Sequence, residues 1–197
     1  MKVLSAVMMA IVFILSCSRG EQEARPTISN EQSIFEGLKE RIAKDPNDAE
    51  AWYHLADLYE RSELFRDEVD ALKKVVAIQP KRGYAYVRLG NAYNRLGQHE
   101  DAARNFVIAL KYQPKNPLIY NNLAVSYGKI GKMNEEIAAL EKAIALRPKY
   151  ATARYNLGIA LLKKGDRQGA LKQHQELKKF DEGTASSLKK EIDAKRS

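Results

Sequence analysis

The 197-residue chain contains one cysteine, Cys17, and three histidines. A single thiol excludes a disulfide within the chain, and Cys17 lacks the companion ligands that a zinc cluster needs. His54, His99 and His174 occupy unrelated places, and none has a carboxylate or nucleophile at a spacing that suggests a catalytic relay. Glycine-rich phosphate loops and metal-ligand spacings are also missing. We therefore expect no enzymatic activity, no metal, no cofactor and no small-molecule substrate.

No apolar run is long enough to cross a bilayer. Residues 3–15, apolar except for Ser5, follow Met1-Lys2 and would form a helix of only about 20 Å, against a hydrocarbon core of about 30 Å. One positive charge, a short apolar segment and a small residue are typical of an export signal. The segment 14–17, ILSC, resembles the lipobox of bacterial lipoproteins. The resemblance implies cleavage after Ser16 and a lipid on the Cys17 sulfur, with an ordinary cleaved signal as the alternative.

A lipidated Cys17 would attach the chain firmly to a membrane, because two or more acyl chains make anchoring stable. Ser18 follows the cysteine, whereas Asp commonly stands there in lipoproteins kept at the inner membrane of diderm bacteria. We therefore expect an exported, membrane-anchored lipoprotein on the periplasmic side, at the outer rather than the inner membrane if the host is diderm. Residues 17–29 are polar, include one proline and predict a flexible tether after the signal peptide of residues 1–16.

The net charge of +8 is unevenly distributed. Residues 17–62 hold six Lys/Arg and ten Asp/Glu, whereas residues 63–197 hold 26 Lys/Arg and 15 Asp/Glu. Such a basic excess can indicate nucleic acid, but an exported chain seldom meets any, and no Lys/Arg run with interleaved aromatic residues occurs. We predict no nucleic-acid partner. The basic excess is either a solvated surface or a source of weak attraction to anionic lipid headgroups and acidic protein segments.

Four types of residue recur at intervals of 34 positions. The repeated residues are prolines, aromatic residues, leucines, and glycine or alanine directly after each leucine. They are Pro46, Pro80, Pro114 and Pro148; Trp52, Tyr86 and Tyr120; Leu55, Leu89, Leu123 and Leu157; and Ala56, Gly90, Ala124 and Gly158. Within one repeat, the aromatic residue, the leucine and the small residue lie on one face of an α-helix. The small residue lets a second helix approach closely.

This period and these residue types resemble the tetratricopeptide repeat (TPR), a helix–turn–helix unit. The resemblance implies an all-α fold, a right-handed superhelical solenoid of antiparallel helix pairs. We predict an N-terminal capping helix at residues 30–45, starting from a capping box at Ser33 to Glu36. Four repeats follow at residues 49–82, 83–116, 117–150 and 151–182, and a polar helix at residues 184–197 ends the chain. Gly97, Gly131 and Gly165 are expected to end three of the first helices.

Three departures from the repeat pattern affect packing. Glu68 and Glu136 stand where the second helix of a repeat normally has a small residue, so these carboxylates are expected to reach solvent or a cation and to loosen the first and third pairs. Arg154 replaces the aromatic residue of the fourth repeat. His174 replaces Phe106 and is interpreted as a residue of the C-terminal cap rather than a ligand.

In this family the concave surface, lined by first helices, binds peptides. The matching positions here are Tyr53, His54, Asp57, Val87, Arg88, Asn91, Asn121, Asn122, Val125, Tyr155, Asn156 and Ile159. Asn122 and Asn156 resemble the asparagines that pair with the backbone of an extended peptide, since an amide is both donor and acceptor. The alternative is that these asparagines bond only to water. A clamp for a C-terminal carboxylate is not expected, because Val87 and Thr152 occupy the positions where lysines would be needed.

The predicted function is therefore a lipid-anchored scaffold or adaptor that binds a protein or peptide partner at the bacterial cell envelope. Two narrower roles stay open: an assembly protein similar to the pilotins of type IV pili, and a cytochrome c maturation factor that presents apocytochrome. A third alternative is a structural spacer whose concave surface binds nothing.

Overall fold

The computed structural model describes residues 25–195, with side chains from residue 31 onward. The predicted signal peptide, Cys17 and residues 17–24 of the tether lie outside the described residues. Every regular element in the described range is an α-helix. The helices are α1 (Arg25–Lys44), α2 (Ala49–Arg61), α3 (Phe65–Ile78), α4 (Gly83–Arg95), α5 (His99–Tyr112), α6 (Pro117–Lys129), α7 (Met133–Leu146), α8 (Ala151–Lys164), α9 (Arg167–Lys178) and α10 (Glu182–Ala194).

Side-chain caps define where several helices begin. The Asp48 carboxylate accepts a hydrogen bond from the Ala51 amide at 2.9 Å, and Asn116 Oδ1 accepts one from the Leu118 amide at 3.0 Å. Each bond satisfies a backbone N–H that has no partner within the helix. Pro117, directly after Asn116, is the first residue of α6, where its missing N–H costs nothing.

The predicted glycine ends are confirmed. Gly97, Gly131 and Gly165 have φ angles of 73°, 76° and 89°, in the left-handed region that favours glycine. The first repeat has Glu63 at the same place, 34 positions before Gly97, and its φ is 57°. The backbone of the turn is therefore shared by all four repeats, although only three of them have the residue best suited to it.

The N-terminal helix begins earlier than predicted. Helix α1 starts at Arg25, so residues 25–29 are helical rather than part of the tether, and Ser33 lies inside the helix instead of capping it. Pro26 is tolerated because it occupies the first helical turn. Residues 27–36 contain no proline or glycine, so nothing in this stretch stops the helix from extending backwards.

The chain divides into two compact units, Met1–Ala85 and Tyr86–Ser197. In the first unit, α2 packs against α3 and α1 packs against α2. Leu55, Ala56 and Leu72 are almost completely buried between the paired helices. Phe35 from α1 meets Tyr59 edge to face, with ring centroids 6.0 Å apart. Helix α1 thus covers the apolar face that the first repeat would otherwise expose.

In the second unit, successive helices from α5 to α10 pack against one another. The ring of Phe106 is fully buried, and a Cβ added to Gly90 would lie only 2.6 Å from it. The predicted close approach at the small residue is therefore confirmed at Gly90. Burial of a side chain such as Phe106 contributes about 1.5–3 kcal/mol to stability.

The last helix is more deeply buried than its polar sequence indicates. Ala185, Leu188 and Ile192 are completely buried, and a Cβ added to Gly158 would lie 2.6 Å from Leu188. Leu188 from α10 therefore fills the space beside Gly158. The Nδ1 atom of His174 lies 3.0 Å from the Ala185 carbonyl oxygen, so His174 also faces α10.

Arg154 reproduces a bond that Trp52 makes in the first repeat. Trp52 Nε1 donates to the Pro46 carbonyl at 3.0 Å, and Arg154 Nε donates to the Pro148 carbonyl at 2.8 Å, six residues back in both cases. Arg154 Nη1 also donates to Gln173 Oε1 at 3.1 Å. The guanidinium can replace an aromatic side chain here because it is planar and presents several N–H donors.

Candidate functional site: an asparagine network and a buried carboxylate

Four asparagines of the second unit form a continuous chain of side-chain hydrogen bonds. Asn122 Nδ2 donates to Asn91 Oδ1 at 3.0 Å, Asn121 Nδ2 donates to Asn122 Oδ1 at 3.3 Å, and Asn156 Nδ2 donates to Asn121 Oδ1 at 3.0 Å. We call Asn91, Asn121, Asn122 and Asn156 the asparagine network. The network connects three first helices, α4, α6 and α8, and it brings together four residues that the sequence predicted for one surface.

The members of the network differ in exposure. Asn91 is exposed, Asn122 and Asn156 are half-buried, and Asn121 is 6% exposed. Asn121 is therefore an internal link between Asn122 and Asn156 rather than a residue open to a partner. The sequence did not distinguish these roles, because Asn121 and Asn122 are adjacent and a one-residue step on a helix turns a side chain by about 100°.

A serine and an asparagine support the network from behind. The Ser126 hydroxyl, which is completely buried, lies 3.0 Å from Asn94 Nδ2 and 3.1 Å from the backbone oxygen of Asn122. His99 Nδ1 lies 3.0 Å from Asn94 Oδ1. Neither Asn94 nor Ser126 was predicted for the site. Their separation of 32 residues is close to the repeat length, and this spacing could have indicated that they lie on adjacent first helices.

A pocket of about 170 Å³, lined in part by Asn156, is formed by residues of α6, α7 and α8. Three predicted surface residues, Val125, Asn156 and Ile159, take part in it. The complete lining is Val125, Gly128, Lys129, Glu136, Leu140, Asn156, Ile159 and Lys163. The prediction thus found one side of this pocket and missed the charged residues.

Of the two outcomes expected for the carboxylates, solvent or a cation, exposure to solvent is not found: Glu68 is 3% exposed and Glu136 is 8% exposed. The looser packing expected at the third pair is also not found, because a Cβ added to Gly128 would lie 2.6 Å from Glu136 Oε1. Gly128 thus makes the room that the larger Glu136 needs. Burial raises the pKa of Glu136, and the Lys163 ammonium offsets part of that rise.

The signal for this pair was present in the repeat alignment. The third repeat has glycine at 128 and glutamate at 136, whereas the second has Asn94 and Ala102 at the matching positions. A small residue opposite a large one, with the order reversed in the neighbouring repeat, indicates two side chains that share one volume.

The predicted residues of the first unit belong to a different cluster. The Arg82 guanidinium lies 4.6 Å from the ring centroids of both Tyr53 and Tyr84, and it forms a 2.7 Å ion pair with Glu50. The hydrogen bond from Arg82 lowers the pKa of Glu50. His54 Nδ1 lies 3.8 Å from Asp57 Oδ2. These contacts are all made within the unit, and they pair Arg82 with Glu50 and bring His54 close to Asp57.

The remaining predicted residues, Val87, Arg88 and Tyr155, are half-buried in the second unit. Among residues 25–195, no group of three His, Cys, Asp or Glu side chains is arranged to hold a metal ion. In the same range, no helix has the length and apolar character needed to cross a bilayer.

Comparison with known proteins identifies the repeat. A family profile described as TPR repeat matches residues 90–131 and 127–165, and one described as tetratricopeptide repeat matches residues 38–82. Together these matches span more than half of the chain. The chain belongs to the tetratricopeptide-repeat family. Proteins built from this repeat are generally scaffolds, and neither match indicates a catalytic family.

Solved TPR structures resemble the chain along most of its length. A crystal structure of MamA superposes with a TM-score of 0.73 at 23% identity, covering 87% of this chain and 98% of MamA. A MamA fragment from Desulfovibrio magneticus RS-1 gives 0.72 at 18% identity, with 89% and 95% covered. YrrB, described as a TPR protein with an unusual peptide-binding site, gives 0.75 at 19% identity, with 83% and 86% covered. At these identities the likeness shows the fold alone.

The comparison with curated protein sequences found no match.

Proposed function

We propose that this TPR protein is a non-enzymatic scaffold that binds an extended peptide of a protein partner along the asparagine network. The observation that supports this is the chain of amides running across α4, α6 and α8. An extended peptide presents an N–H and a C=O at each residue, and an asparagine amide can pair with both. The peptide-binding site in the description of YrrB, which has the same fold, is consistent with such a role.

The network leaves hydrogen-bonding capacity for a peptide. An amide has two N–H donors and an oxygen with two lone pairs. Asn122 uses one N–H and one lone pair inside the network, and Asn156 uses one N–H. The internal bonds hold the amides in fixed orientations, so little side-chain entropy is lost when a peptide binds.

The test is a pair of double variants in the intact chain. Asn122→Ala with Asn156→Ala removes two half-exposed amides, and Asn105→Ala with Asn134→Ala removes two amides outside the network. Partners are crosslinked in the host and quantified by mass spectrometry, and helicity is measured by circular dichroism. We expect the first pair to reduce capture of a specific partner at unchanged helicity and the second to have no effect. Equal capture by both pairs would exclude the network as the binding site.

The finer part of the proposal concerns location. We infer from the sequence that Cys17 bears the lipid and that the scaffold works on the periplasmic side of the envelope, at the outer membrane in a diderm host. The residues between Cys17 and α1, 18–24, would connect the lipid to the helices. The partner would then be another envelope protein.

A further inference from the structure

The pocket beside the asparagine network contains a carboxylate with no counter-ion in contact. Glu136 is 8% exposed, and among the described residues its carboxylate takes part in no hydrogen bond and no ion pair within 4.0 Å. Buried carboxylates are normally paired, because an isolated charge in a protein interior is costly. The Glu136 carboxylate lies against Gly128 of α6, because a Cβ added to Gly128 would be 2.6 Å from Glu136 Oε1.

Two hydrogen-bond acceptors meet in this pocket. One is the Glu136 carboxylate, and the other belongs to Asn156, a lining residue whose Nδ2 bonds to Asn121 and whose Oδ1 accepts no described hydrogen bond. Gly128 and the apolar side chains of Val125, Leu140 and Ile159 line the walls, and the exposed Lys129 and Lys163 complete the lining. A matching guest therefore has a hydrocarbon stem and a donor at its end. The volume of about 170 Å³ is below the roughly 300–1,000 Å³ of small-molecule pockets, so one side chain is the appropriate size.

We propose that this pocket receives a lysine or arginine side chain of the bound peptide. The stem lies against Val125 and Ile159, and the cation meets Glu136 and Asn156. This inference rests on the proposed peptide binding and specifies one feature of the partner, a basic residue at the position that passes Asn156.

Two lysines that line the pocket make it possible to distinguish a cationic guest from an anionic one. Lys129 and Lys163 are both exposed, and the Lys163 charge acts on Glu136 from a distance. A basic guest would replace Lys163 as the nearest cation, so Lys163 competes with it. An acidic guest would instead use Lys163 as its partner. Removal of Lys163 therefore changes affinity in opposite directions for the two classes.

The experiment uses small probes of each charge, so that it reports on the pocket alone. The intact chain is titrated with n-butylammonium chloride and, separately, with sodium butyrate at equal ionic strength. Binding is followed by NMR, from the side-chain carboxyl signal of Glu136 and the amide signal of Gly128. We expect saturable shifts with n-butylammonium only. Glu136→Gln should abolish them, whereas Glu135→Gln, at the exposed neighbouring position, should leave them unchanged.

Lys163→Ala provides the second arm. It should lower the dissociation constant for n-butylammonium by about twofold to fivefold, the scale of one exposed charge. Butyrate binding that weakens in Lys163→Ala would show an anion pocket, and n-butylammonium shifts that persist in Glu136→Gln would show non-specific binding. Either result overturns the inference. The proposed scaffold function fails separately, if the asparagine double variant captures its partner normally.

Discussion

Glu63 has a left-handed backbone conformation, which is unfavourable for any residue that has a side chain. Its φ is 57°, and the equivalent positions of the other three repeats are glycines with φ between 73° and 89°. A side chain in this region is destabilised by about 1 kcal/mol or more. The Glu63 side chain is exposed, so no buried contact offsets that cost.

We expect Glu63→Gly to raise the free energy of unfolding by about 0.5–1 kcal/mol, since relief of the backbone strain exceeds the added flexibility of glycine in the unfolded chain. Chemical denaturation measures the change. The matched control is Ser62→Gly, because Ser62 has an ordinary φ of −86° and glycine there brings only flexibility. A loss of stability in both variants would show that Glu63 is not strained.

Glu136 gives a pH dependence of the opposite sign to that of an ion-paired carboxylate. Burial raises its folded-state pKa above the usual 4.5. Between the unfolded and folded pKa values, the folded state binds more protons than the unfolded state, so the stabilising contribution is complete below the unfolded pKa and is lost as pH rises through the folded pKa.

Glu136→Gln should therefore be more stable than the parent at pH 7, because it removes the charge that burial disfavours. The gain should shrink as pH falls through the raised folded-state pKa, because the parent carboxyl becomes neutral there. Denaturation of parent and variant across this range measures the difference. The exposed Glu135→Gln should show no such trend, and a gain that is the same at every pH would contradict burial as its cause.

At the scale of the helix, the repeat period predicted the features that are determined by residues close together in the sequence. The apolar columns and the glycine ends follow from local spacing, and the structure has both. The burial of Glu136 opposite Gly128 and the bond from Arg154 to Pro148 depend on which side chains share a volume, and period alone does not specify that. The start of α1 was misplaced because a capping box was chosen where nothing upstream stops a helix.

Helix α10 shows the same distinction. A polar helix was predicted at the end of the chain, but the contact of its Leu188 with Gly158, 30 positions earlier, was not predicted. Gly158→Ala should destabilise the protein because the new methyl group would overlap the Leu188 side chain, a substitution of the kind that typically costs about 1–3 kcal/mol.

A double-mutant cycle separates this overlap from general effects of alanine at residue 158. Leu188→Ala alone should cost about 2–5 kcal/mol. In Leu188→Ala the space beside residue 158 is empty, so adding Gly158→Ala should cost little or nothing, and the double variant should lose less than the sum of the single variants. As a control, Gly37→Ala has no atom within 4 Å of the added Cβ and should be neutral or stabilising. Additive losses would mean that residues 158 and 188 do not share one volume.

At the scale of the whole molecule, two physical forces could attach the protein to a membrane. The net positive charge of residues 63–197 would attract anionic headgroups, whereas acyl chains on Cys17 would insert into the bilayer. Salt distinguishes them, because at about 1 M ionic strength charges are screened within about 3 Å, while the insertion of hydrocarbon chains is not weakened.

We expect the mature protein to stay with host membranes in about 1 M salt and to be released by detergent, because two or more acyl chains anchor a protein stably. Cys17→Ser should leave the membrane fraction in salt, and mass spectrometry of the parent should find an acylated amino terminus at Cys17. Ser18→Ala is the matched control and should stay anchored. Release of the parent by salt alone would show that the basic surface, rather than a lipid, attaches the protein. Attachment of the scaffold would then depend on the anionic lipid content of the membrane.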